Sequence, residues 1–224
     1  MLENKKAVIF DLDGTLVDSM WMWKQIDIDF LTKKGLPYPE NLESEIEGMS
    51  FGETAEYFAK TFPLEETAEE LQIIWNDMAR ENYEKKVPLK PRVKEFLIYL
   101  KEQKIKTGIA TSNSRDLLEA VSKTHDLFSY IDVFLTSDEV KKGKPAPDVF
   151  LKVAEKLGTE PKECLVFEDI PNGILAAKRA GMEVCAVEDA YSMDLAANKK
   201  KLADYYIKDY NEVLNQTYED VRNE

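Results

Sequence analysis

Short unbroken apolar runs alternate along this chain with stretches in which apolar residues return every three or four positions. The runs occupy residues 6–10, 107–110, 131–135, 164–167 and 184–187. Each has the length of a strand buried on both faces. Residues 205–207 predict a sixth strand, at an edge of the sheet. Helical spacing fills the gaps. Val93, Phe96, Leu97 and Leu100 form one stripe within residues 92–103, and Pro91 suits its start. Leu117, Leu118 and Val121 follow a cap at Asn113 or Ser114. Val149, Phe150, Val153, Ala154 and Leu157 lie between Pro147 and Gly158, and a further helix runs from Pro171 to Ala180 ahead of Gly181. Repeated strand–helix–strand order predicts an α/β fold: a Rossmann-like parallel sheet with helices on both faces. Such sheets gather their ligands beyond the carboxyl ends of the strands.

The rhythm breaks once. Residues 19–87 contain no convincing strand. Three helical stripes (Ile26, Phe30 and Leu31; Ala55, Phe58 and Ala59; Leu71, Ile74, Trp75 and Met78) are separated by turns at Gly35, Pro37, Pro39 and Pro63. The expected division is a core of residues 1–17 and 88–224 and an all-helical cap domain of residues 18–87 that can close over a site.

Four clusters stand at the ends of four expected strands. Asp11-Leu12-Asp13-Gly14-Thr15 follows the first. Two carboxylates splayed by a turn can divide the labour of nucleophile and proton carrier, with Gly14 permitting the turn, or the segment is a surface Asp-Gly turn. Thr111-Ser112-Asn113 follows the second and offers hydroxyls and N–H groups to a phosphate, or caps a helix. Lys144, ahead of Pro145 and Pro147, can aim a point charge at an anion, or belongs to an exposed lysine cluster with Lys141 and Lys142. Glu168-Asp169 suits a hard cation such as Mg²⁺, or caps the next helix. Convergence of all four on one sheet edge suits Mg²⁺-assisted phosphoryl transfer.

Composition narrows the classes. The chain of 224 residues has 30 basic and 43 acidic side chains, a net charge of −13, which argues against a nucleic-acid partner. A hydrophobic content of 44% supports a folded core, and no run approaches the ~18 residues of a membrane span. The single histidine, His125, excludes a multi-histidine zinc site and reads as a helix-end residue. Cys164 and Cys185 read as buried thiols in a reducing cytoplasm. Trp21, Trp23 and Phe51 are candidates for the substrate's non-phosphate end, and Trp75 for the core. Asp18 and Ser19 can line a hinge or cap a helix. Lys199, Lys200 and Lys201 read as a solvated face. Glu188 and Asp189 lie close to the same sheet edge without being expected to bind a ligand directly.

The combination of Asp11 to Thr15, Thr111, Lys144 and Glu168-Asp169 resembles the haloacid dehalogenase-like (HAD) superfamily, over essentially the whole chain. It is most similar to the β-phosphoglucomutase-like and phosphatase branch with a helical cap, of which residues 166–173 are typical. The resemblance implies Asp11 as a nucleophile forming an aspartyl-phosphate and Asp13 as general acid and base. It implies Thr111 and Lys144 as holders of the phosphoryl group, with N–H groups near Leu12, Asp13 and Ser112. Mg²⁺ would be held by Asp11, Asp13, Glu168 and Asp169. The expected activity is hydrolysis of a small phosphorylated metabolite, a sugar or nucleoside monophosphate, by a cytoplasmic monomer with no nucleic-acid or membrane partner. The alternatives are a hexose-phosphate mutase and a non-catalytic phosphate-ligand binding protein. Against the mutase stands Gly48-Met49-Ser50-Phe51: mutases of this branch have an arginine where Phe51 stands, and phenylalanine makes no charge-assisted bond to a second phosphate. Thr15 also fits the phosphatase pattern better than the valine of the mutase.

Overall fold

The computed structural model describes residues 1–222. A seven-stranded sheet organises the chain in the order β3-β2-β1-β4-β5-β6-β7. The strands are β1 (Ala7–Phe10), β2 (Lys106–Thr111), β3 (Val133–Thr136), β4 (Cys164–Glu168), β5 (Glu183–Val187), β6 (Tyr205–Ile207) and β7 (Glu219–Asp220). The first six are parallel. β7 pairs antiparallel outside β6, so β6 is not the edge strand expected.

Alternation along each strand decides which helices it meets. Val8 and Phe10 of β1, Leu165 and Phe167 of β4, and Cys185 and Val187 of β5 enter one core. That core also takes α5 (Val93–Glu102), α6 (Arg115–Thr124) and α10 (Tyr210–Leu214). Their neighbours Ala7, Ile9, Val166, Val184 and Ala186 face the other side. There they meet α7 (Asp148–Leu157) and α8 (Pro171–Arg179), and α9 (Ala196–Leu202) follows along the chain. The apolar stripe of α7 is fully spent on this burial, and Gly158 closes the helix at φ +63°. Both faces of each central strand are therefore covered, which is why the strands read as unbroken apolar runs.

Residues between β1 and β2 fold into α1 (Met20–Lys33), α2 (Leu42–Ile46), α3 (Phe51–Thr61) and α4 (Ala68–Lys85) before the core resumes at α5. Reciprocal capping boxes start two of them, Ser50 with Glu53 and Thr67 with Glu70. Phe30, Phe58 and Trp75 pack edge to face within the insert. Each such fully buried ring contributes about 2–3 kcal/mol through the area it removes from water. The insert is fastened to the core by hydrogen bonds from Phe51 N–H to Ser112 O (2.8 Å), Gly52 N–H to Asp138 Oδ1 (3.1 Å) and Asn172 Nδ2 to Glu47 O (2.8 Å).

The lysine run differs from its reading as a solvated face. Lys199 is fully buried, its Nζ donating to Val187 O (3.0 Å) and Ser192 Oγ (2.9 Å); only Lys201 is exposed. A long amphipathic stem let α9 turn this position inward beneath β5.

Candidate active site

β1 lies where the strand order turns, with β2 on one side and β4 on the other. Loops leaving such a switch point diverge and open a crevice at the carboxyl ends. The loop after β1 is held by a tight turn: Gly14 N–H donates to Val17 O (2.9 Å), and Leu16 and Val17 N–H both reach Leu12 O. Beneath it Phe10 and Phe167 stack at 5.4 Å. Leu12 turns its side chain into the core and offers the crevice only its backbone. The N–H groups of Leu12, Asp13 and Ser112 find no protein acceptor among the described residues, leaving three donors for an anion.

Asp11, Lys144 and Glu168 form one buried constellation. Lys144 Nζ lies 2.6 Å from Asp11 Oδ1 and 2.7 Å from Glu168 Oε1. The expected alternative of an exposed lysine is excluded here: its side chain is 1% exposed. Burial alone would lower the ammonium's pKa, but Asp11 and Glu168 reverse that and raise it, so it stays charged. Burial pushes the Asp11 carboxyl up, with Glu168 and Asp13 adding to the effect and Lys144 opposing it. Glu168 is fully buried, and its second oxygen accepts Ile170 N–H at 2.9 Å. Gly173 makes room for it: a Cβ there would stand 1.6 Å from Oε1.

Asp169 stands against the β1 turn. Its Oδ1 accepts Thr15 Oγ1 (3.0 Å), while Oδ2 is buried without a partner. A Cβ on Gly14 would lie 2.1 Å from that oxygen, and φ there is +78°, so two constraints require glycine. Burial, then the charges of Glu168 and Asp11, push the Asp169 carboxyl well up. No three acidic, thiol or imidazole side chains among the described residues close around one point. An orphaned carboxylate oxygen beside Asp11, in a site with more carboxylates than cations, fits a hard cation that takes few protein ligands and keeps its waters.

Asp13 is half-buried and points toward the insert. Its Oδ1 accepts Ser19 Oγ (2.5 Å) and the Tyr83 hydroxyl, and its Oδ2 accepts Asn113 Nδ2 (2.9 Å). Ser19 thus holds Asp13 and makes no side-chain cap. Burial raises the Asp13 carboxyl against these hydrogen bonds. Thr111 is buried, its Oγ1 accepting Asn113 N–H (3.0 Å), and half-buried Ser112 lies beside it.

Between these groups and the insert lies an open cavity of about 420 Å³, reached by Asp11, Asp13, Thr111, Ser112, Lys144 and Asp169 from the core. Trp23, Phe51 and Trp75 line it from the insert, whereas Trp21 does not. Trp75 is both core, at 3% exposure, and wall. The rest of the cavity wall is acidic: Asp27, Glu40, Glu43, Glu47 and Asp194 line it with, among the described residues, one cation, Lys24, which is paired with Glu43 at 2.8 Å.

Sequence reasoning did not single out Tyr83 or Lys90. Lys90 Nζ holds Asp189 Oδ2 (2.7 Å) and Glu188 O (2.8 Å), which keeps Asp189 beside the site rather than free within it. Its place directly before Pro91, at a chain re-entry to the core, was the available signal. Tyr83 carried none beyond its position on a helix. His125 is half-buried at the end of α6, its Nε2 2.8 Å from Val87 O.

The chain is similar to several known proteins. A curated phosphorylated carbohydrates phosphatase of Thermotoga maritima is 33% identical over 80% of this chain and 82% of its own. A Drosophila melanogaster protein named "Probable pseudouridine-5'-phosphatase" is 35% identical over 84% of each chain. The crystal structure of CbbY from Rhodobacter sphaeroides in complex with phosphate shares the fold, with a TM-score of 0.81 at 21% identity over 93% of this chain and 96% of that one. The family model of the haloacid dehalogenase-like hydrolases matches residues 8–187. With four strand-end clusters gathered at one sheet edge and that match spanning most of its length, the chain belongs to the haloacid dehalogenase-like hydrolases.

Proposed function

We propose that the protein is a phosphatase that hydrolyses a small phosphate monoester through an aspartyl-phosphate on Asp11. The observation that carries this reading is the buried Asp11–Lys144–Glu168 constellation, whose Asp11 and Lys144 line a cavity between the core and the insert. Asp11 attacks phosphorus as the bond to the leaving oxygen breaks, and Asp13 passes its proton to that oxygen. Asp13 then takes a proton from water, which attacks phosphorus and frees Asp11 and inorganic phosphate. Lys144, Thr111 and the three free N–H groups hold the phosphoryl oxygens throughout. Asp11 and Asp169, with the Asp13 carbonyl, would hold Mg²⁺, which offsets the phosphoryl charge when bound. Glu168, with both oxygens engaged, serves Lys144. The insert acts as the cap that excludes water.

The cavity wall speaks for the substrate. Phe51 is buried edge-on against Trp23 and Trp75, and the rest of the wall is acidic. Among the described residues no cation is free there for a second phosphate, which weighs against a mutase handling a bisphosphate. Aromatic and hydrogen-bonding surfaces suit a neutral polyol or nucleoside instead. Relatives named for phosphorylated carbohydrates and for pseudouridine 5'-phosphate support the same class.

The test is release of inorganic phosphate from sugar phosphates, nucleotides and p-nitrophenyl phosphate, with Mg²⁺ and with EDTA. The expected result is metal-dependent release that Asp11→Asn abolishes while the variant stays folded. Full activity in Asp11→Asn refutes the mechanism, and binding without turnover across the panel points to a binding protein.

A further inference from the structure

The hydrogen bonds around Tyr83 have only one consistent proton arrangement. Tyr83 is fully buried on α4, in the insert. Its hydroxyl oxygen receives Trp23 Nε1 (3.1 Å) and Asn113 Nδ2 (2.8 Å). The indole N–H is a donor only. The Asn113 amide has its orientation settled by Ser114, whose N–H donates to Asn113 Oδ1 at 2.7 Å. Both phenol lone pairs are therefore filled, and its one proton has a single place to go: Asp13 Oδ1.

The consequence falls on Asp13. Oδ1 already takes Ser19 Oγ as well as the phenol. A serine hydroxyl can turn and accept instead; the phenol, locked by two donors, cannot. Oδ2 has one protein partner, Asn113 Nδ2, and one lone pair left over. We propose that Tyr83 is a positioning residue that confines the transferable proton of Asp13 to Oδ2, and that because Tyr83 and Trp23 belong to the insert, the proton donor is assembled only when the insert is seated. This rests on the reading of Asp13 as the group that protonates the leaving oxygen. Without the phenol's hydroxyl, Oδ1 becomes a competing site for the proton and the carboxyl loses one of its three tethers.

A positioning role has a signature that a structural role lacks. An aryl leaving group such as p-nitrophenolate departs without a proton, whereas an alkoxide needs one. The comparison is kcat/KM of Tyr83→Phe for p-nitrophenyl phosphate and for glycerol 2-phosphate, since kcat/KM covers steps only through leaving-group departure. General acid catalysis contributes about 10²–10⁴-fold, so a misdirected donor is expected to cost about tenfold or more on the alkyl ester and under about threefold on the aryl ester. Retained turnover of the aryl ester is also the check that the variant folds. Should Tyr83→Phe not fold, Trp23→Phe frees a phenol lone pair and is expected to give the same split at smaller size. Equal losses on the two esters, or none, overturn the proposal. Asp13→Asn separates this failure from failure of the underlying reading: if it too fails to distinguish the esters, Asp13 is not the proton donor; if it distinguishes them and Tyr83→Phe does not, only the role of Tyr83 falls.

Discussion

Gly173→Ala sets two ordinary rules of protein stability against each other. Position 173 is the third residue of α8, and inside a helix alanine is favoured over glycine by about 1 kcal/mol. Propensity alone therefore predicts a more stable protein. The added Cβ, however, would stand 1.6 Å from Glu168 Oε1 and 2.0 Å from its Cδ. The carboxylate would have to retreat by about 1.4 Å to reach the shortest contact that carbon and oxygen tolerate. It has nowhere cheap to go. Oε1 is bonded to Lys144 and Oε2 to Ile170 N–H, and the residue is completely buried. Breaking a buried ion pair costs about 3–5 kcal/mol, so the net loss is about 2–4 kcal/mol once propensity is credited. Urea unfolding followed by far-ultraviolet circular dichroism measures it as a fall in the midpoint at constant slope. Phosphate release should fall as well, because Lys144 loses one of the two carboxylates that hold it beside Asp11. A variant as stable as the parent, or more stable, would show that Glu168 is not pinned as described.

Two further outcomes are expected. Burial and neighbouring Glu43 push the Asp27 carboxyl up to about 7, above its unfolded value, so the folded state binds the proton more tightly and stability falls as pH rises from 4 through 7. Asp27→Asn should flatten that slope and gain about 1–2 kcal/mol at pH 8, part of the full shift because the side chain is partly exposed; urea midpoints at pH 4, 6 and 8 check it. Lys199→Met removes a buried ammonium that, among the described residues, has no carboxylate within bonding distance, and should change stability by under about 1 kcal/mol, whereas Lys144→Met should cost about 3 kcal/mol or more by the same measurement.

The layered fold was legible because each central strand is apolar on both faces, as in Val8 to Phe10 and Cys164 to Phe167. Each of these helices also spends a single stripe against the sheet. The strand-end clusters were legible for the related reason that loops after parallel strands share one edge. β7 escaped notice because two residues, Glu219 and Asp220, carry no periodicity. Lys199 was misread because a run of three lysines looks uniform in sequence, while a helix turns each one through 100°. Tyr83 is the instructive omission. It lies 70 residues from Asp13 and meets it only because α4 folds back over the sheet, a tertiary fact with no local signature.

The seam between insert and core has a consequence for how such a protein can diverge. Phe51 and Gly52 engage the core through their backbone N–H groups, and Glu47 through both its carbonyl and its carboxylate, whose Oε1 accepts Asn172 N–H at 3.2 Å. The two N–H bonds are indifferent to the side chain that Phe51 turns toward the cavity, whereas the carboxylate of Glu47 both lines the cavity and holds the seam. New walls can therefore be tried at position 51 while the closing contacts persist. At Phe51, then, the shape of the cavity wall and the docking of the insert are separately adjustable, while at Glu47 the two are tied together.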